Sequence, residues 1–257
     1  MIIYKTEEEI ELIRQSALIL SKAHGEIAQL IKEGVSTVTL DNRAEEYIRD
    51  NGGQPSFKNY NGFPYSLCIS VNSTVVHGFP GEYVLNDGDV ISVDAGVYYK
   101  GFHSDCAYTH AVGNVSEEVT DLLKVTKESL YKGIDKATIG FRMGDVSFAI
   151  QDHAEKHGYG VVRELVGHGI GRNLHESPEV PNYGKRGQGP KLQDGLVIAI
   201  EPMITLGTRH IVQEDDGWTI RTRDNKPSAH FEHTVVVRKD QAEILTTFDY
   251  IEQAKKS

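Results

Sequence analysis

Asp87-Gly88-Asp89-Val90-Ile91-Ser92-Val93-Asp94 and Asp194-Gly195-Leu196-Val197-Ile198-Ala199-Ile200-Glu201 share one pattern. Each is a DG turn, then an apolar run of strand character, then a carboxylate. The match extends outward. His103-Ser104-Asp105 is echoed by His230-Phe231-Glu232, and His77-Gly78-Phe79 by His168-Gly169-Ile170. The step between the two acids is 11 residues in the first half and 31 in the second, where the added stretch includes Trp218. One DG turn before a strand means little, because such turns are common. Three echoes in order predict a duplicated fold whose pseudo-two-fold axis draws Asp94, Asp105, Glu201 and Glu232 towards one centre.

The flanking sequence repeats too. Thr6 followed by Glu9 reads as a capping box, and Ile10, Ile13, Ala17, Leu20, Ile27 and Leu30 follow at helical spacing as far as Gly34. A second helix is expected from Thr37 or Thr39 to Gly52-Gly53, and strands follow through residues 65–112. The order then recurs: a helix capped by Ser116 to about Ala137, another from Gly144-Asp145 to His157-Gly158, then strands from Val161 onward. Without a linker between them, the halves, about 1–113 and 114–257, are expected to share one sheet and form a single catalytic domain.

Bulk composition narrows the function classes. Of 257 residues, 39% are hydrophobic and 25% charged, which is ordinary globular usage. A net charge of −10 argues against a nucleic-acid partner, which needs Lys and Arg for its phosphates. Cys68 and Cys106 form no CxxC pair and no disulfide framework, as expected of a reducing compartment. The start carries no signal-peptide pattern and no run reaches membrane-spanning length, so the cytosol is the expected location.

The chemistry follows from the paired acids. Asp94 and Glu201 are each expected to end an apolar strand, where a charged carboxylate is costly unless it is paired or metal-bound. Taken singly, either is an ordinary strand-end residue. At mirrored positions, four acids suit two divalent cations roughly 3.5–4 Å apart. His168 adds a nitrogen donor within Gly167-His168-Gly169-Ile170-Gly171, and His77 and His175 are candidates for contacts to substrate. Histidines 24, 103, 110, 153, 157, 210, 230 and 233 read as surface or packing residues. No HExxH helix, Walker loop, GxSxG elbow or GxGxxG turn is present.

Together these segments resemble the bacterial type I methionine aminopeptidases along essentially the whole chain. The resemblance rests on Cys68 to Asn72, Val76-His77-Gly78-Phe79-Pro80, Val93-Asp94, Gly101 to Asp105, Gly167 to Gly171, His175-Glu176-Ser177-Pro178, Ile200-Glu201-Pro202-Met203 and Glu232-His233-Thr234. It implies an α+β pita-bread fold, two similar halves around a curved antiparallel sheet. It implies two divalent ions (Co, Mn, Fe or Zn) held by Asp94, Asp105, His168, Glu201 and Glu232, with Asp105 and Glu232 bridging. It places His77 beside the scissile amide, His175 on the substrate carbonyl and Glu201 as proton shuttle. Tyr60, Phe63, Cys68 and Trp218 would line the methionine pocket, with Met203 and Leu174 nearby. The implied activity is removal of Met from nascent N-termini when the second residue is small, by a metal-activated hydroxide. The implied protein is a monomer with the ribosome surface as a candidate partner and no membrane or specific nucleic acid. Departures from the family pattern are Val76 for a frequent Cys, Phe63 for a frequent Tyr, Leu174 for a frequent aromatic and His230 for a frequent Gln. Two rivals stay open: a proline-specific aminopeptidase or dipeptidase on the same fold, and a non-catalytic binding module that has kept it.

Overall fold

The computed structural model describes residues 1–256. The opening helix, α1 (Glu7–Leu30), starts where Thr6 and Glu9 cap each other. The Thr6 hydroxyl accepts from the Glu9 N–H at 3.3 Å, and the Glu9 carboxylate accepts from the Thr6 N–H at 3.1 Å. Two N–H groups that a helix start leaves orphaned are thereby satisfied. Ile10, Ile13, Ala17, Leu20 and Ile27 are fully buried along one face, which lies across two long antiparallel strands, Val90–Tyr99 and Phe102–Ala111. Polar groups on that face are paired as burial demands. Ser16 donates to the Val97 carbonyl at 2.8 Å, and His24 Nε2 donates to the Cys106 carbonyl at 2.9 Å. In α2 (Thr37–Asp50), the Asp41 carboxylate accepts from the N–H groups of Ser66 and Leu67 and so anchors the strand Leu67–Val71.

The second half repeats this order. Ser116 caps α3 (Glu117–Ile134), and α4 (Met143–Lys156) follows. These helices pack against a three-stranded sheet, Ser228–His230, Met203–Thr205, Gly160–Val161, and against part of a five-stranded one in the order Glu243–Ile244, His233–Val236, Val197–Ile200, Gly167–Gly169, Glu176–Val180. A short α5 (Asp249–Ala254) returns the chain to α1. None of the helices described is long and apolar enough to cross a membrane.

Two features differ from the sequence reading. Asp94 does not end its strand, which runs on to Tyr99 because Ala95-Gly96-Val97 continues the ladder. The halves also do not share one continuous sheet. The first half forms a four-stranded sheet, the second a five-stranded and a three-stranded one, and a further three-stranded sheet takes strands from both; the larger sheets meet along a seam of threonine hydroxyls. Thr109 Oγ1 accepts from the His230 N–H at 2.8 Å and donates to its carbonyl at 2.7 Å. Thr234 Oγ1 does the same for Asp105, at 3.0 and 2.7 Å. Only the Glu232 N–H to Ala107 carbonyl bond, 2.9 Å, is a direct backbone link among these. Side-chain hydroxyls stand in for ladder groups, so the two backbones meet without forming a regular strand pair. The extra residues of the second half form a hairpin, Ile211–Gln213 with Ile220–Thr222, whose second strand pairs with Thr74–Val76 of the first half.

Candidate active site

A pocket of about 270 Å³ lies where the halves meet. Asp94, Asp105, His168, Glu201 and Glu232 line it together with His77, His175, Tyr60, Phe63, Cys68 and Trp218. Every one of these positions was picked out in the sequence, and the fold brings all of them to one cavity. Phe57, Asn61 and Leu174 complete the lining.

Strand pairing explains the convergence of the acids. Ile200 pairs with His233, so Glu201 and Glu232 stand opposite each other just past the ends of the ladder. In the first half Asp94 pairs with Ala107 and Asp105 with Gly96. Both lie at positions two apart in register and therefore on one face of the sheet. His168 comes from the middle of its own strand. Gly167 lets that strand approach its neighbour, because a Cβ there would fall 2.4 Å from the Ala199 carbonyl oxygen.

The imidazole of His168 is oriented for ligation. Its Nδ1–H donates to the Gly169 carbonyl at 2.9 Å, which leaves the Nε2 lone pair free. Nε2 lies 3.8 Å from Asp105 Oδ2 and 3.7 Å from Glu201 Oε1. Burial pushes the ring down to about pKa 3, so it is neutral. Asp105, His168 and Glu232 each offer a donor atom within 4.8 Å of the others.

The charge balance then decides what the cluster is for. Four carboxylates face one cavity whose lining contains no Lys or Arg. Burial raises every one of them. Asp94 is pushed to about 7 and Glu201 to about 8, while Asp105 and Glu232 go well above the usual carboxylate range, with the neighbouring acids adding to the effect. Asp94 Oδ1 and Glu232 Oε1 are buried without a hydrogen-bond partner. Buried anions that lack both counter-charge and donors are strongly destabilising. Oxygen and imidazole donors in this arrangement fit divalent cations, which would relieve the repulsion and satisfy the orphaned oxygens.

Around this floor stand the groups suited to a substrate. His77 sits at φ 59°, an unusual left-handed conformation for a residue with a side chain. It is held there by Gly78, where a Cβ would fall 2.2 Å from the Ile69 carbonyl oxygen. Burial, with His230 and His175 adding, pushes His77 down to about 4. His175 Nδ1 is 2.8 Å from the Tyr60 hydroxyl, and its ring lies 4.2 Å from that of His168. Phe63 meets Trp218 edge-on at 5.2 Å, and Trp218 lies 6.3 Å from His77. The inserted hairpin thus carries Trp218 onto the wall built by the first half.

The sequence reading missed some residues and misplaced others. Met203, expected only near the pocket, is not among the residues that line it. It is buried in a separate cluster with Val75, Val76, Val162 and Ile220, because the strand breaks at Glu201-Pro202 and alternation does not carry through. His230, read as a packing residue, lies at the site instead, with Nε2 3.6 Å from Glu201 Oε2. The signal that would have found it is its position two residues before Glu232, the spacing that puts strand residues on one face.

The chain belongs to metallopeptidase family M24, which matches residues 11–239. Within that family it is similar to methionine aminopeptidases. It is 52% identical to that of Clostridium perfringens over 96% of this chain and 99% of the relative. It is 48% identical to methionine aminopeptidase 1 of Bacillus subtilis, with the same coverage. The crystal structure of the Thermotoga maritima methionine aminopeptidase superposes with a TM-score of 0.95 at 42% identity, covering 96% of this chain and 100% of that one. The pita-bread fold reaches further: the Pyrococcus furiosus prolidase superposes with a TM-score of 0.79 at 24% identity, and this chain covers 65% of its length.

Proposed function

We propose that this protein is a metal-dependent methionine aminopeptidase that removes the first residue of nascent polypeptides when the second is small. The observation that carries the reading is the uncompensated cluster of four buried carboxylates and a lone-pair-bearing imidazole beneath an aromatic pocket. Identity of 42–52% to proteins of that name across nearly the full chain supports it. The prolidase likeness is one of fold alone, and the complete donor set argues against a non-catalytic module.

Asp94, Asp105, His168, Glu201 and Glu232 would hold two divalent ions. Imidazole and carboxylate donors suit Co, Mn, Fe or Zn. When bound, such ions supply Lewis acidity to water and to the scissile carbonyl. The residues of the chain do the rest. Tyr60, Phe63, Cys68, Leu174 and Trp218 desolvate the methionine side chain, and the free α-amine would be held at the metal-ligand cluster, which limits cleavage to the first bond. His77 flanks that amide. His175, fixed by Tyr60, donates to the carbonyl oxygen as negative charge grows on it. Glu201, through Oε1 on the His168 side, accepts the proton of the attacking water and returns it to the leaving nitrogen.

Asp94 and Asp105 come from the first half and His168, Glu201 and Glu232 from the second. That supports reading residues of about 1–113 and 114–257 as halves of one catalytic domain. We further propose a cytoplasmic monomer that meets its substrates as they leave the ribosome surface. The decisive experiment is turnover of Met-Ala-Ser with and without a chelator. The expected result is loss of cleavage on chelation and its return with added divalent ion; undiminished cleavage in chelator would overturn the proposal.

A further inference from the structure

We propose that His230 is a positioning residue for Glu201, its Nε2–H holding carboxylate Oε2 so that Oε1 stays turned to the metal-ligand cluster. The inference rests on reading Glu201 as a ligand and proton carrier. His230 is 1% exposed, and neither ring nitrogen has a hydrogen-bond partner. A buried imidazole costs free energy unless it serves some group. The nearest charged oxygen is Glu201 Oε2, at 3.6 Å. That lies just outside hydrogen-bond range, and a small rotation of the carboxylate closes it.

Everything around the pair is already fixed. The backbone of His230 is clamped on both sides by the Thr109 hydroxyl and paired with Met203. The Glu201 carbonyl accepts from Asn182 Nδ2 at 3.0 Å. No hydrogen bond among the described residues fixes the Glu201 carboxylate, whose Oε1 faces His168 Nε2 at 3.7 Å and whose Oε2 faces His230, a ring that also feels the charge of Asp94. His230 is not part of the pocket lining, so it sits behind Glu201 rather than in contact with substrate. A donor on that side selects one carboxylate orientation and prevents the free rotation that would turn a ligand oxygen away.

The test compares His230→Gln, which keeps an N–H donor, with His230→Phe and His230→Met, which fill space without one. Two apolar variants are used so that failure of one to fold leaves the other. Three quantities are measured on each: Co(II) binding by calorimetry, the visible absorption of the Co(II)-loaded protein, and kcat and KM for Met-Ala-Ser. In whichever apolar variant folds, Co(II) binding is expected to weaken by about 10–100-fold, as for loss of a partner that orients a ligand. Its visible spectrum should shift and kcat should fall more than KM rises, whereas Gln should restore all three. Repeating the apolar change in a Glu201→Ala background should have little further effect on Co(II) binding, because the group being positioned is gone. Unchanged binding and spectrum in a folded apolar variant would overturn the proposal. So would failure of Gln to restore them, which would make the imidazole itself a ligand. Failure of the wild type to bind Co(II) or cleave the peptide would instead count against the functional reading beneath it.

Discussion

Asp105 is where the argument for metal is sharpest at the scale of single residues. Its carboxylate is buried among three others, and its backbone is pinned from the opposite half by Thr234. Asp105 is one of three residues whose donor atoms lie closest together, so on the proposed reading Asp105→Ala should lose most of its divalent metal after reconstitution and dialysis. Elemental analysis of folded protein checks this, and full metal with full activity would remove Asp105 from the ligand set. His175 makes the opposite prediction. It is tied to Tyr60 and lies beside His168 without joining the carboxylates. His175→Ala should keep its metal while kcat falls on the order of 10²–10³-fold, as for loss of an oxyanion donor. A variant that lost metal would make His175 a ligand. Asp94 and Glu201 were legible in the sequence because a carboxylate after an apolar run is conspicuous, whereas Asp105, His168 and Glu232 stood out only through the internal echo and the family resemblance. Phe57 and Asn61 were not, because a lone phenylalanine or asparagine carries no mark of which cavity it faces, and His230 was passed over although its two-residue spacing from Glu232 marked it.

Helix α1 shows what the elements contribute. Its apolar face was readable from the spacing of Ile10, Ile13, Ala17 and Leu20, and its start from the Thr6–Glu9 pair. The buried histidine on that face was not readable, and it has a consequence for acid stability. His24 is 1% exposed, and burial pushes it down from 6.5 to about 4. As pH falls from about 6.5 towards 4, the unfolded chain takes up a proton that the folded chain refuses. Stability is therefore lost as pH falls through that window, by up to about 3 kcal/mol from this residue alone. A His24→Gln variant should lose that part of the slope. Urea titrations of the metal-free wild type and variant at pH 7 and pH 4.5 check it, because the site carboxylates titrate alike in both and cancel in the difference. An identical slope in the two proteins would rule out His24 as the source. The seam between the sheets was hidden for a related reason: the hydroxyls of Thr109 and Thr234 stand in for backbone groups, and no propensity marks a threonine that will do so.

At the scale of the whole molecule, duplication and insertion together set what the pocket accepts. Pseudo-symmetry supplies the acids from both halves. The inserted hairpin breaks it and lays Trp218 against Phe63 over one side only. The resulting cavity of about 270 Å³ is at the small end for ligand sites. It has aromatic walls for one side chain, and on the proposed reading the scissile amide would lie between His77 and the carboxylates. The backbone at His77 is left-handed, and the next residue, Gly78, lies close against Ile69, whose N–H donates to the Gly78 carbonyl at 2.9 Å. A second side chain must therefore fit beside that imidazole. Gly, Ala or Ser can do so, whereas Leu, Lys or Phe pushes the carbonyl away, and a displacement of ~1 Å can cost about 10²-fold in rate. Met-Ala-Ser should then exceed Met-Leu-Ser in kcat/KM by about that factor at saturating divalent ion. Equal rates for the two peptides would mean that the wall at His77 yields. Faster cleavage of a bond preceding proline in a peptide without methionine would move the assignment to the proline-specific branch of the same fold.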